Sequence, residues 1–256
     1  MGGASEPRLV IVQSVTSPAV ARLPRAFLRV AGPDAADYLQ RMVSNDVEAL
    51  AVGDTCAALL LTAKARVIAP LRIIRRAADD FLLLTEPELG ETVRTELVRM
   101  RFAAKAEIEP EKHESWLVLG GEEVLDERPA GEEVGEEELE RWRIESGIPR
   151  WGREIDDRIL PAEAGLDETH ISFSKGCYPG QEPIARQRYR GKVNRKLRVL
   201  EIDGEATPGD ELLLDGKKVG RITSAVKGVA LGYVRVEVPN DAQLELGAKP
   251  GFARLR

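Results

Sequence analysis

Apolar residues fall along this chain in two rhythms. Behind Gly32-Pro33-Asp34, Tyr38, Leu39 and Met42 recur at helical spacing, which predicts a helix over 35–43 with Asp34 favoured beside its first turn. Apolar runs at 57–61, 67–74 and 81–84 predict strands of a mixed sheet. After Pro87, the positions of Leu89, Val93, Leu97, Val98 and Met100 give one apolar face to a helix over 88–102. Beyond residue 196 the rhythm shortens to runs at 197–202, 211–214, 217–223 and 229–236. Turns at Pro208-Gly209-Asp210 and Asp215-Gly216 separate several of them. That pattern predicts a small antiparallel unit, a barrel or a sandwich.

Charge changes the picture in two places. Fifteen acids against four bases lie between Glu107 and Glu145, and the stretch 120–138 has few large apolar residues. It is expected to be a solvated loop or weak turn, followed by a helix from about residue 136. The segment from Arg186 through Arg188, Arg190, Lys192, Arg195, Lys196 and Arg198 contains no acid at all. Over the 256 residues the net charge is −6, which gives no support to general affinity for nucleic acid or an acidic membrane. No apolar run is long enough to span a bilayer, and the first residues lack a secretory layout, so a cytoplasmic protein is expected. Gly2-Gly3 is no dinucleotide fingerprint, and no P-loop is present.

Only two cysteines and two histidines occur, too few for a self-contained four-thiolate cluster or a typical structural zinc site. Cys56, within Thr55-Cys56-Ala57-Ala58-Leu59-Leu60, reads as a small buried hydrophobe, and no structural disulfide is expected. Cys177 is different. Lys175-Gly176-Cys177-Tyr178-Pro179-Gly180-Gln181-Glu182 mixes a thiol, two glycines, an amide and both charges, which no ordinary core element requires. The glycines would let the backbone take positive φ or approach a ligand, and the basic residues that follow would favour a thiolate. His170 lacks the partners of a catalytic triad and reads as structural.

These eight residues resemble the KGCYxGQE signature of the YgfZ-type folate-binding proteins, relatives of the aminomethyltransferase (T-protein) of the glycine cleavage system. The likeness continues in Arg143-Ile144-Glu145-Ser146-Gly147-Ile148-Pro149, in Leu160 to Leu166, in Arg186 to Arg195 and in Gly220 to Val234. It implies an α+β fold, with mixed, partly ferredoxin-like subdomains around a central folate cavity, closed by a small C-terminal antiparallel β-barrel. The corresponding division is 1–195, itself split near 105–140, and 196–256.

The resemblance further implies tetrahydrofolate or a one-carbon derivative as cofactor, held by Glu145, Lys175, Gln181, Glu182 and Arg186, with Cys177 as a reactive thiol. A carboxylate such as Glu145 can accept two neighbouring N–H donors of a pterin. Arginine suits a glutamyl tail. Its implied role is accessory to iron–sulfur cluster assembly or repair, with client or assembly proteins as partners, in a monomer. A folate-dependent one-carbon transferase or demethylase is the alternative, and an RNA-associated module using the basic run with Tyr178 or Tyr189 is a second. The transferases carry aspartates where this chain has Ala65-Arg66-Val67-Ile68-Ala69-Pro70-Leu71. Proline cannot move a proton, which argues against aminomethyl transfer by their route. At 64–65 a lysine-glycine pair is expected, and Lys64-Ala65 keeps the lysine alone.

Overall fold

The computed structural model describes residues 18–247 and 249–256; the reading of the first residues, Gly2-Gly3 included, lies outside them. The N-terminal part begins with strands β1 (Ala19–Arg22) and β2 (Ala26–Ala31) and helix α1 (Ala35–Met42). Strands β3 (Thr55–Leu61), β4 (Val67–Ala77) and β5 (Asp80–Thr85) follow, then helix α2 (Gly90–Met100) and strand β6 (Glu107–Glu111). The five-stranded sheet runs β3-β4-β5-β2-β6, antiparallel throughout. Its apolar face and the two helices enclose the first core, around Leu39, Leu60, Ile73, Phe81, Leu83 and Leu97.

Helix α1 starts where the punctuation predicts. Gly32 is required there: its φ is +132°, and a Cβ would lie 2.3 Å from the Lys105 carbonyl oxygen. Asp34 makes no cap bond to its own helix and instead accepts the Lys105 N–H at 2.8 Å. The α2 pattern is shorter than expected. A single 3₁₀ turn occupies Pro87–Leu89, and the helix ends at Met100, leaving Phe102 at φ +47° with its ring exposed.

The acidic stretch corrects the sequence reading. It contains β8 (Glu123–Leu125) and β9 (Glu132–Glu133), which with β1 and β7 (Ser115–Val118) form a four-stranded sheet ordered β8-β7-β1-β9. Glu123 is not solvated, for its carboxylate accepts Arg25 at 3.0 Å, Arg72 at 3.1 Å and the Ser115 hydroxyl at 2.5 Å. Local acid density does not reveal partners that lie 50 or more residues away.

Helix α3 (Glu136–Glu145) comes next, and α4 (Gln181–Arg190) follows a long segment of turns. Strands β10 (Arg195–Gly204), β11 (Glu211–Leu214), β12 (Lys217–Val226), β13 (Val229–Arg235), β14 (Gln243–Leu246) and β15 (Gly251–Leu255) close into a six-stranded antiparallel barrel. The fold is therefore α+β with a C-terminal barrel, as expected. At the β11–β12 turn Asp215 and Gly216 both have positive φ, the geometry a tight hairpin needs. Within the basic run, the residues up to 190 belong to helix α4, and β10 begins at Arg195.

A buried ion pair fastens α3 to the barrel. Arg143, 7% exposed, donates to Glu154, 1% exposed, at 2.9 Å. Glu154 also accepts the Ser224 hydroxyl of β12 at 2.6 Å and the Arg150 N–H at 3.1 Å. The remaining Arg143 donors reach Glu140 and the Ile148 carbonyl. Every charge is matched, which is the condition for tolerating it in the interior. Glu154→Ala is expected to cost about 1–3 kcal/mol, because one Arg143 N–H, the Ser224 hydroxyl and the Arg150 N–H lose their buried acceptor while Glu140 still balances the guanidinium. Urea unfolding checks this, and a loss below about 1 kcal/mol would contradict the pairing.

Candidate functional site

Lys175 is the anchor of the signature loop. Its ammonium donates to the carbonyls of Gln40 at 2.5 Å, Val43 at 2.7 Å and Asn45 at 2.7 Å, and the side chain is buried. These carbonyls lie at and just beyond the C-terminal turn of α1, where a helix leaves acceptors unpaired and carries partial negative charge. Three donors meet three acceptors, so the group has none left for a ligand. Burial pushes the ammonium down to about 8, and at neutral pH it is still mostly charged.

Two further pins hold the loop. Tyr178 is buried in a second core with Ile155, Ile159, Leu166 and Ile184, its ring 5.3 Å from the Lys175 nitrogen. Gly180 has φ +84°, and a Cβ would lie 2.6 Å from the Thr62 carbonyl oxygen in the β3–β4 turn. Only this second glycine is sterically required, since a Cβ at Gly176 would meet open space. Between the pins, Gly176 and Cys177 are exposed. The thiol is thus displayed on a short tip where the β3–β4 turn, the end of α1 and the start of α4 converge.

The other candidates are spread apart. Gln181 reaches back toward the Gly176 carbonyl at 3.5 Å. Glu182 and Arg186 pair with each other at 3.1 Å on the exposed face of α4. Glu145 ends α3 on the far side of that helix from the buried pair. It is exposed, 3.5 Å from Arg141, and lines a groove of about 330 Å³ with Lys227, Arg254, Glu201 and Asp203. No residue of the signature loop lines that groove.

A different groove, of about 380 Å³, opens between α4 and the barrel. Phe173 and Ile184 give it apolar walls, and Arg188, Lys192 and Lys196 border it against the single acid Asp167. The Arg188 guanidinium lies 3.8 Å from the centroid of the Phe173 ring, a cation–π stack. Lys192 and Lys196 are exposed. In the sequence Arg188 and Lys192 stand out only as members of the basic run, and Phe173 only by its place just before the signature.

The barrel matches the family model of the CAF17 C-terminal beta-barrel domain over residues 194–255. The tRNA-modifying protein YgfZ of Shigella sonnei is 26% identical, over 86% of this chain and 84% of the relative. Over most of its length the chain is similar to the YgfZ-type proteins. An aminomethyltransferase of a Nostoc strain is 29% identical over 82% of this chain, which spans about half (47%) of that relative's length. Among solved structures, the glycine cleavage system aminomethyltransferase T from Bartonella henselae superposes with a TM-score of 0.80 at 17% identity, over 93% of this chain and 84% of that one; it shares the fold.

Within the YgfZ-type frame, the departure at 64–65 has a visible shape. Ala65 sits at φ +58°, the left-handed backbone that a glycine would adopt without strain. Pro70 lies on β4 with its carbonyl accepting the Thr85 hydroxyl at 2.9 Å, a structural contact.

The two thiols and two histidines separate by environment. Cys56 is half-buried on β3, and burial pushes its thiol up to about 11. Burial pushes His170 down to about 4, while its carbonyl accepts the Ser44 hydroxyl at 2.6 Å. Alkylation near pH 8 should therefore label Cys177 rapidly and Cys56 at least about tenfold more slowly. Mass spectrometry of wild type and Cys177→Ser checks the order, and two equal phases would contradict it.

Proposed function

We propose that this chain is a tetrahydrofolate-binding accessory protein in iron–sulfur cluster assembly or repair, with Cys177 as the thiol it presents to a partner. The observation that carries the reading is the groove between α4 and the barrel, which begins on the helix that the signature loop caps. Folate is a planar pterin and aminobenzoate joined to a dicarboxylate. Ile171 and Ile184, with the Phe173 ring beneath the Arg188 guanidinium, give the planar part an apolar wall, and Arg188, Lys192 and Lys196 offer cations for the carboxylates. The groove also has the size usual for such ligands.

Cys177 and the groove lie toward opposite ends of α4, Gly180 preceding the helix and Gly191 following it. A thiol exposed on a pinned tip suits exchange with a macromolecular client better than attack on folate inside a groove. The missing transferase aspartates weigh in the same direction, toward an accessory role and away from aminomethyl transfer. Likeness to the YgfZ-type relatives and to the aminomethyltransferase fold supports the ligand class.

Tetrahydrofolate titration of wild type, Arg188→Ala/Lys192→Ala and Glu145→Ala separates the possible seats. The double variant is expected to weaken binding about tenfold or more, as losing carboxylate contacts implies, with Glu145→Ala within about twofold of wild type. The reverse order would move the ligand to the α3 groove, and no binding at all would reject the folate reading. Cluster-enzyme activity in a deletion strain should return with wild type and not with Cys177→Ser.

A further inference from the structure

We propose that His113 is a proton-operated latch tying the five-stranded sheet to the segment that crosses the four-stranded sheet between β8 and β9. The imidazole is clasped on both nitrogens. Nε2 lies 2.9 Å from Glu111 Oε2, at the end of β6, and Nδ1 lies 2.6 Å from Asp126 Oδ2, just past β8. The ring packs edge-on to Phe27 of β2, centroids 5.2 Å apart. Ionised carboxylates only accept, so both nitrogens must donate and the clasped ring is an imidazolium.

The two partners are held with unequal strength. Glu111 is gripped by the Arg76 guanidinium of β4 through bonds of 2.8 and 3.1 Å, and Arg76 first, with His113, draws its carboxyl down to about 2. Asp126 is exposed, sits at left-handed φ +60°, and besides His113 has the Glu114 N–H at 3.0 Å on its other oxygen. The other charges bordering the shallow groove that His113 lines are Arg22, which pairs with Glu114, Arg25, which pairs with Glu86 and Glu123, and Glu91, Arg94 and Lys112. When the ring loses its proton, one nitrogen turns a lone pair toward a carboxylate, and the weaker side, Asp126, lets go.

Burial alone would lower the His113 pKa, but hydrogen bonds and charge from Glu111 and Asp126 outweigh it and raise it above 6.5. A raised folded-state value means the latch contributes fully below pH 6.5 and is lost as pH rises through that raised value. His170, drawn down to about 4, does not titrate in this window. Lys175 loses its proton near 8, but its partners are Gln40, Val43 and Asn45, in a different part of the molecule.

Hydrogen exchange across residues 123–133, corrected for intrinsic rates, tests the latch at about pH 6 and about pH 8.5. Wild type is expected to lose about fivefold or more in protection between them. His113→Gln should show the low value at both, and a histidine NMR titration should follow the same midpoint. Asp126→Asn supplies a second variant, expected to lower that midpoint and abolish the pH-dependent change. Protection in wild type that does not vary with pH, or that falls between the two pH values as much in His113→Gln and Asp126→Asn as in wild type, would overturn the proposal.

Discussion

A buried ammonium survives only where every N–H finds an acceptor, and Lys175 finds three in the carbonyls that α1 leaves open at its C-terminal end. Much of the site depends on this contact. It joins residue 175 to residues 40–45, and so joins the loop bearing the only fully exposed thiol among the described residues to the first core. With Tyr178 sunk in the second core and Gly180 against the β3–β4 turn, the loop has no freedom except at Gly176 and Cys177. The signature lysine therefore does its work beneath the site.

The same logic fastens the other half of the molecule. Arg143 and Glu154 tie α3 and the following turn to Ser224 in the barrel, and the Tyr233 hydroxyl donates to the Glu154 carbonyl at 2.8 Å. Trp151, a few residues earlier, packs against both the first and the second core. Two buried cations, one in each half, thus set where α1, α3 and α4 stand relative to the sheets. The groove between α4 and the barrel is a consequence of that placement.

Elements with strong local periodicity were legible in the sequence. Helix α1, strands β3 to β5 and the barrel hairpins lie within a few residues of their patterns, because burial on one face imposes the period directly. The loop reading ahead of residue 136 missed β8 and β9, while the helix from 136 stands where expected. Composition reports charge but not pairing: Glu123 is satisfied by Arg25, 98 positions away, and the Arg188 guanidinium lies over the Phe173 ring. The signature marks a loop with an exposed thiol, yet the contacts around it were hidden: Lys175 binds carbonyls about 130 residues distant, and Glu145 lies on a separate groove. Such long-range acceptors leave no local trace.

The central claim is that Lys175 holds the loop and does not hold the ligand. Lys175→Met, studied for urea unfolding and for tetrahydrofolate affinity on one preparation, separates the two roles. Loss of three charge-assisted bonds is expected to lower stability by about 3 kcal/mol, while the folded fraction keeps its affinity within about twofold. Unchanged stability accompanied by lost affinity would contradict the account.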